Sequence, residues 1–176
     1  MPRTTFYGNT NVQAAIQPNI GLDATTRQSV IDMLNLVLAD EAVLSKKTRL
    51  MDGHAGAPDL QSLYVVQSTQ LRALSDEIAE RIRILGGDPL SDSEAMADFA
   101  RLDGKLAVAP GGIGILADQE SLIRFLRGDA QKCSEAFEDQ GTSAMLIRVM
   151  CLHEKMAWQL RSEIAPRPSD DEKQRD

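Results

Sequence analysis

Residues 71–87 read LRALSDEIAERIRILGG, and their spacing decides the architecture. Leu71, Leu74, Ile78, Ile82 and Leu85 recur at roughly 3.6-residue intervals, which predicts a helix with that stripe against a core. Asp76 and Glu80 are four apart, so they stack on one side of the same helix, close enough to share a cation. Gly86 and Gly87 then stop the helix in the way a left-handed cap does, with Pro89 just beyond. The plainest reading of the charges is a solvated face on which Glu77 reaches Arg81 and Glu80 reaches towards Arg83. The sharper reading makes Asp76 and Glu80 metal ligands.

Outside this stretch, 176 residues are the length of one domain and enough to bury a core without metals or disulfides. An aromatic content of only 4%, with plentiful Ala, Leu, Met, Gln and Glu, favours packed helices over sheets. No apolar run approaches the roughly 20 residues that cross a bilayer. The N-terminal MPRTTFYGNT lacks the apolar segment of a signal peptide, so the expected location is the cytoplasm. Cys133 and Cys151 fall in separate predicted helices with no metal-ligand spacing and read as small core residues. A net charge of -7 argues against a surface built to attract nucleic acid.

Residues 1–22 form a polar segment, expected to be a flexible arm. Asp23 or Thr25 can cap a first helix running to about Asp52, with Val30, Leu34, Val37, Leu38, Leu44 and Met51 inward. Lys46, Lys47 and Arg49 sit in its last turns, where positive charge complements the helix dipole. Gly53, Gly56 and Pro58 break the chain, and the second helix runs from near Asp59 to Leu85. SDSEAMADFARL predicts a short helix capped by Ser91 or Ser93. The following GKLAVAPGGIG lacks the GxxxxGK[ST] frame of a phosphate loop and reads as a connection. A third long helix is expected from about Asp118 to Asp139, with Leu122, Phe125, Leu126, Cys133, Ala136 and Phe137 inward. A fourth, capped by Thr142 and ending near Ile164, turns Met145, Leu146, Val149, Leu152, Met156, Leu160 and Ile164 inward. Residues 166–176 are expected to be a disordered tail. The fold class is therefore all-α: residues 23–165 form a ferritin-like four-helix bundle whose long crossover between the second and third long helices carries a short extra helix.

LNLVLADEAVLSKKTR, DEIAERIRILGGDPL, EDQGTSAML and LHEKMAWQLRS together resemble the Dps family, the small ferritins first named as DNA-binding proteins from starved cells. The resemblance spans roughly residues 24–164. It implies a shell of twelve identical subunits with a ferroxidase site at each two-fold interface, iron as the metal, and storage of ferric iron that limits oxidative damage. Asp76 and Glu80 match the aspartate and glutamate that one subunit supplies. The neighbouring subunit would supply two histidines and a carboxylate, and here the chain departs from the family.

Against the family pattern YHWNVxGPxFxxLHxxFE, this chain has MDGHAGAPDLQSLYVVQS. Asp52 takes the place of the first histidine. Tyr64 and Ser68 take those of the second histidine and its carboxylate, or Gln61 and Val65 do if a three-residue shortening falls in the turn. The expected ligands are thus Asp52, Asp76 and Glu80, which would also carry catalysis, with Gln61, Tyr64 and His54 as weaker candidates. An all-oxygen set suits Fe²⁺ and other hard divalent cations better than zinc or copper. His153, in LHEKMAW, stands where a histidine is common in the family without being a ligand. No ExxH occurs, which argues against larger ferritins with a di-iron site inside one bundle.

The resemblance also implies acidic pores at three-fold axes, for which Glu135, Glu138 and Asp139 offer charge; Ala144 stands where many relatives have an aspartate. Twelve copies at -7 each would carry on the order of -84, which repels DNA at any distance that salt leaves unscreened. The competing readings are a shell whose ferroxidase site has decayed and a helical binding module with no metal role.

Overall fold

The computed structural model describes residues 17–53, 57–104 and 112–165. Five helices appear in the order α1 (Ala24–Asp52), α2 (Pro58–Ile84), α3 (Ser93–Phe99), α4 (Ile113–Glu135) and α5 (Gln140–Ile164). No described residue is in a strand. Asp23 caps α1, its carboxylate accepting from the Thr26 amide at 2.9 Å. Val30, Leu34, Val37, Leu38, Leu44 and Met51 are all buried as their spacing predicts.

On α2 the stripe Leu71, Leu74, Ile78, Ile82 and Leu85 is buried throughout. Truncating Ile78 or Ile82 to Ala would cost about 2–5 kcal/mol, since each fills its site completely. The helix ends in a Schellman cap. Gly87 N–H donates to the Ile82 carbonyl at 3.0 Å and Gly86 N–H to that of Arg83 at 2.9 Å, with Gly86 at φ 87°. A Cβ at Gly86 would also come within 2.9 Å of Pro18 Cδ. Residues 17–22 are held here as well, because the buried Arg27 donates to the Leu22 carbonyl at 2.8 Å and to Gln17 Oε1 at 3.2 Å. The remainder of the expected arm, 1–16, and the expected tail, 166–176, lie outside the described residues.

α1 packs chiefly on α2, and α4 on α5; α1 meets α4 and α2 meets α5 across the bundle. Gly112, at the start of α4, abuts Tyr64 near the start of α2 and Leu160 and Ile164 near the end of α5. At the opposite end Arg81 of α2 reaches Asp139 before α5. The crossover therefore travels the length of the bundle and lays α3 along α1. Arg101 pins it: its Nε donates to Asp40 of α1 at 2.8 Å and its Nη1 to Asp129 of α4 at 2.7 Å.

Several local expectations are corrected. α3 is capped by Asp92, whose carboxylate accepts from Glu94 and Ala95 amides, rather than by Ser91 or Ser93. α4 begins five residues before Asp118, after Gly112 at φ 79°, and Asp118 instead pairs with Lys47 at 2.8 Å. It ends at Glu135, which leaves Ala136 exposed and Phe137 half-buried in the turn. Asp139 caps α5 and Thr142 donates to it, so the capping role belongs three residues earlier than expected. Phe125, Met145, Leu152 and Ile164 are only partly buried, and Cys151 is exposed; Cys133 is buried as expected.

Candidate metal centre

Asp76 and Glu80 both lie exposed on α2, one turn apart and so about 6 Å along its axis. Their neighbours are engaged elsewhere. Glu77 pairs with Arg148 of α5, and Arg81 donates to Asp139 and to Thr142 Oγ1. The ladder of Glu77 with Arg81 and Glu80 with Arg83 does not form. Among the described residues, Asp76 and Glu80 have no hydrogen bond or ion pair.

Asp52 is the last residue of α1 and is half-buried, with its Oδ1 enclosed and, among the described residues, without a hydrogen-bond partner. It stands at the end of the bundle where α2 begins. About 27 Å of helix separates the start of α2 from Asp76, so one chain alone does not bring the three carboxylates together. Gln61 is exposed on α2. Tyr64 is wholly buried with its hydroxyl against Gly112, and burial raises its pKa above the ordinary phenol value. It therefore does not present its hydroxyl to a surface site. His54 lies outside the described residues.

Of the acids expected at a pore, Glu135 and Glu138 are exposed in the turn between α4 and α5. Asp139 is buried. It accepts from the Thr142 amide at 2.9 Å and from Arg81 Nη2 at 3.0 and 3.1 Å. Burial works to raise its pKa, but the Thr142 hydrogen bonds and the Arg81 charge outweigh this and hold it below the ordinary carboxylate value. Its charge is used within the chain.

Inside the bundle are polar residues that no motif announced. Asp40, Glu41, Thr48, Gln67, Gln119 and His153 are all 0% exposed. Asp40 receives the crossover, accepting from the amides of Arg101 at 2.6 Å and Leu102 at 3.0 Å. The signal for the others was positional: Glu41 and Thr48 fall on the α1 stripe of Val37, Leu44 and Met51, and Gln67 falls between Tyr64 and Leu71 on α2. Gln119 and His153 likewise interrupt the apolar stripes of α4 and α5. Among the described residues, no three His, Cys, Asp or Glu side chains of this one chain converge on a point. No described helix is long and apolar enough to cross a membrane.

No family model matches the chain. It is 38% identical over 157 residues to an uncharacterized low temperature-induced protein of Nostoc sp. (strain PCC 7120), covering 85% of this chain and 88% of that one. It is 27% identical over 145 residues to DNA protection during starvation protein 2 of Bacillus anthracis, covering 77% of this chain and 96% of the relative. Among solved structures, the Dps protein of Vibrio cholerae O1, described as a member of a broad superfamily of ferritin-like diiron-carboxylate proteins, superposes with a TM-score of 0.75 at 25% identity, covering 85% of this chain and 97% of that one. The four long helices, the crossover helix α3 and these likenesses agree: the chain belongs to the Dps family and has its ferritin-like four-helix fold.

Proposed function

We infer that the protein takes up Fe²⁺ as a substrate, oxidises it and keeps the ferric product inside a hollow shell of twelve copies. The observation that carries this reading is the pair Asp76 and Glu80, exposed, one turn apart and, among the described residues, without partners, beside Glu77 and Arg81, which are paired. Two carboxylates so placed repel each other unless a cation lies between them. A two-fold contact that brings Asp52 of a neighbouring subunit to the same place supplies a third carboxylate, and Asp52, half-buried at the end of α1, keeps part of its side chain open to such a contact.

The partner side of this site is assigned to Gln61 and Val65 rather than Tyr64 and Ser68. α2 runs unbroken from Pro58 to Ile84, so the three-residue shortening fits the turn before it, and Gln61 and Val65 are exposed where Tyr64 is not. An oxygen-only set then holds Fe²⁺, and the same set tolerates Mn²⁺ or Mg²⁺. With peroxide as oxidant, two Fe²⁺ each give one electron to one peroxide, which takes up two protons and leaves as two waters. With oxygen the same ligands serve and the acceptor changes. Removing peroxide and free Fe²⁺ together is what would limit oxidative damage.

A second reading is favoured by one observation: neither Gln61 nor Val65 replaces the imidazole and carboxylate expected there, so the second iron position lacks an ionised donor. On that reading the shell assembles and nucleates mineral on inner carboxylates with little catalysis. The exposed Glu135 and Glu138 would line the route of Fe²⁺ inward. Anaerobic Fe²⁺ titration of the assembled protein tests ligand identity: Asp52→Asn and Asp76→Asn should each weaken binding at least tenfold. Unchanged isotherms in both variants would remove the site.

A further inference from the structure

α2 carries one stripe that its own chain leaves open. Gln61, Val65, Thr69, Arg72, Asp76 and Glu80 are all exposed and follow one another at three- and four-residue steps, so they share one face of the helix. The charges are ordered along that face. Its first half is uncharged, Arg72 stands just past the middle, and the two carboxylates lie beyond it. Among the described residues Arg72, like Asp76 and Glu80, has no hydrogen bond or ion pair. A pair with Asp76 on the same helix is open to it at four-residue spacing, but a base placed before its acid is the weaker order, and that pair does not form.

The two-fold metal site inferred above, on which this contact rests, sets Gln61 and Val65 of one copy against Asp76 and Glu80 of another. A two-fold axis across α2 makes the two copies of the helix antiparallel and each contact reciprocal. With Val65 opposite Asp76 and Gln61 opposite Glu80, the same register sets Thr69 opposite Arg72, and the axis passes between those two positions. Side chains on a helix lean towards its N-terminus. In an antiparallel pair that direction carries Arg72 away from its own Asp76 and towards Asp76 of the second copy, which leans towards it in turn. About 10 Å along the helix axes separates the two backbones, and the long arginine closes most of it.

We propose that Arg72 is a positioning residue of the metal site: its guanidinium crosses the two-fold contact to Asp76 of a second copy of this chain, holds the two helices in register and supplies the positive charge that a second cation would otherwise bring. Each copy gives Arg72 and receives it at Asp76, so the face is complementary to itself in charge. One oxygen of Asp76 accepts from the guanidinium, and the other, with Glu80, is left for a single divalent cation. Gln61 and Val65 bring no ionised donor, which fits a site for one cation rather than two.

The test uses the symmetry of the contact. Arg72→Glu and Asp76→Arg are made singly in the full-length chain, and because both positions are exposed each variant should keep the parent's helix content by circular dichroism. Each variant alone sets like charges against each other at both contacts, whereas an equal mixture, refolded together, restores both pairs. The expected result is a particle smaller than the parent's for either variant alone and the parent's mass for the mixture, read by light scattering, a rescue that a pair within one helix cannot give. Parent mass in either variant alone, a mixture no larger than its components, or a monomeric parent would overturn the contact. Equilibrium dialysis of Co²⁺ against the parent and Asp76→Asn tests the site itself. One Co²⁺ per chain, lost in Asp76→Asn, is expected; two per chain would overturn the charge role given to Arg72. Binding that depends on Asp76 without rescue on mixing sinks Arg72 alone, whereas binding unchanged in Asp76→Asn sinks the metal reading and the positioning role with it.

Discussion

At the scale of single residues, the division of labour among carboxylates is what the structure adds. Glu77 and Asp139 are paired within the chain, while Asp76 and Glu80 are left open. Asp139 joins α2 to the start of α5 through its contacts with Arg81 and Thr142, so Asp139→Ala should lower stability by about 2–3 kcal/mol, read by urea denaturation. Its native pKa is depressed, so its contribution is present above the unfolded value of about 3.9 and is lost as pH falls through the lower native value. Asp139→Asn keeps a capping oxygen but not the charge. It should therefore lose less stability than the parent between about pH 5 and pH 2.5; an identical acid profile would refute the assignment. The sequence pointed to Asp139 as free charge for a pore, since nothing local distinguishes a solvated acid from one met by an arginine 58 positions away. The interior residues were hidden for a related reason. Glu41 and His153 sit on core stripes that look complete without them, and their contact joins residues 112 positions apart.

At the scale of elements, apolar periodicity gave helix existence reliably, and local chemistry gave the ends unevenly. α1 and α2 were legible at both ends because Asp23, Pro58 and the Gly86–Gly87 pair are strong local signals. The start of α4 was not, because Gly112 offers no side-chain cap. Gly86→Ala should cost about 1–2 kcal/mol in thermal unfolding, through the left-handed backbone and the approach to Pro18. Arg101 holds the crossover to both α1 and α4. Replacing it by Ala should speed amide exchange in α3 selectively, leaving the cores of α2 and α5 protected. Uniform acceleration across all helices would mean that the crossover and bundle unfold together.

For the whole molecule, the single chain leaves large apolar side chains on its surface. Val66 is 52% and Trp158 61% exposed, together on the face of α2 and α5, and Val65 of α2 is 49% exposed. A shell of twelve 19.3 kDa chains would have a mass of about 230 kDa by light scattering, and Trp158→Glu should shift it to smaller species. DNA should not be retarded at physiological salt, given the chain's net charge of -7. The bundle and its crossover followed from sequence; the proposed two-fold site was implied only by the family resemblance, because its halves would belong to different copies and lie about 27 Å apart along α2 in one chain.

The decisive measurement is the appearance of Fe³⁺ absorbance after Fe²⁺ is added with peroxide, and then with oxygen, to the purified protein, to the Asp76→Asn, Glu80→Gln double variant and to a protein-free control. Oxidation well above the control in the parent, reduced to the control rate in the double variant, is the predicted result. Oxidation no faster than the control in a particle of shell size would contradict a working ferroxidase and leave a shell whose interface chemistry has been given up.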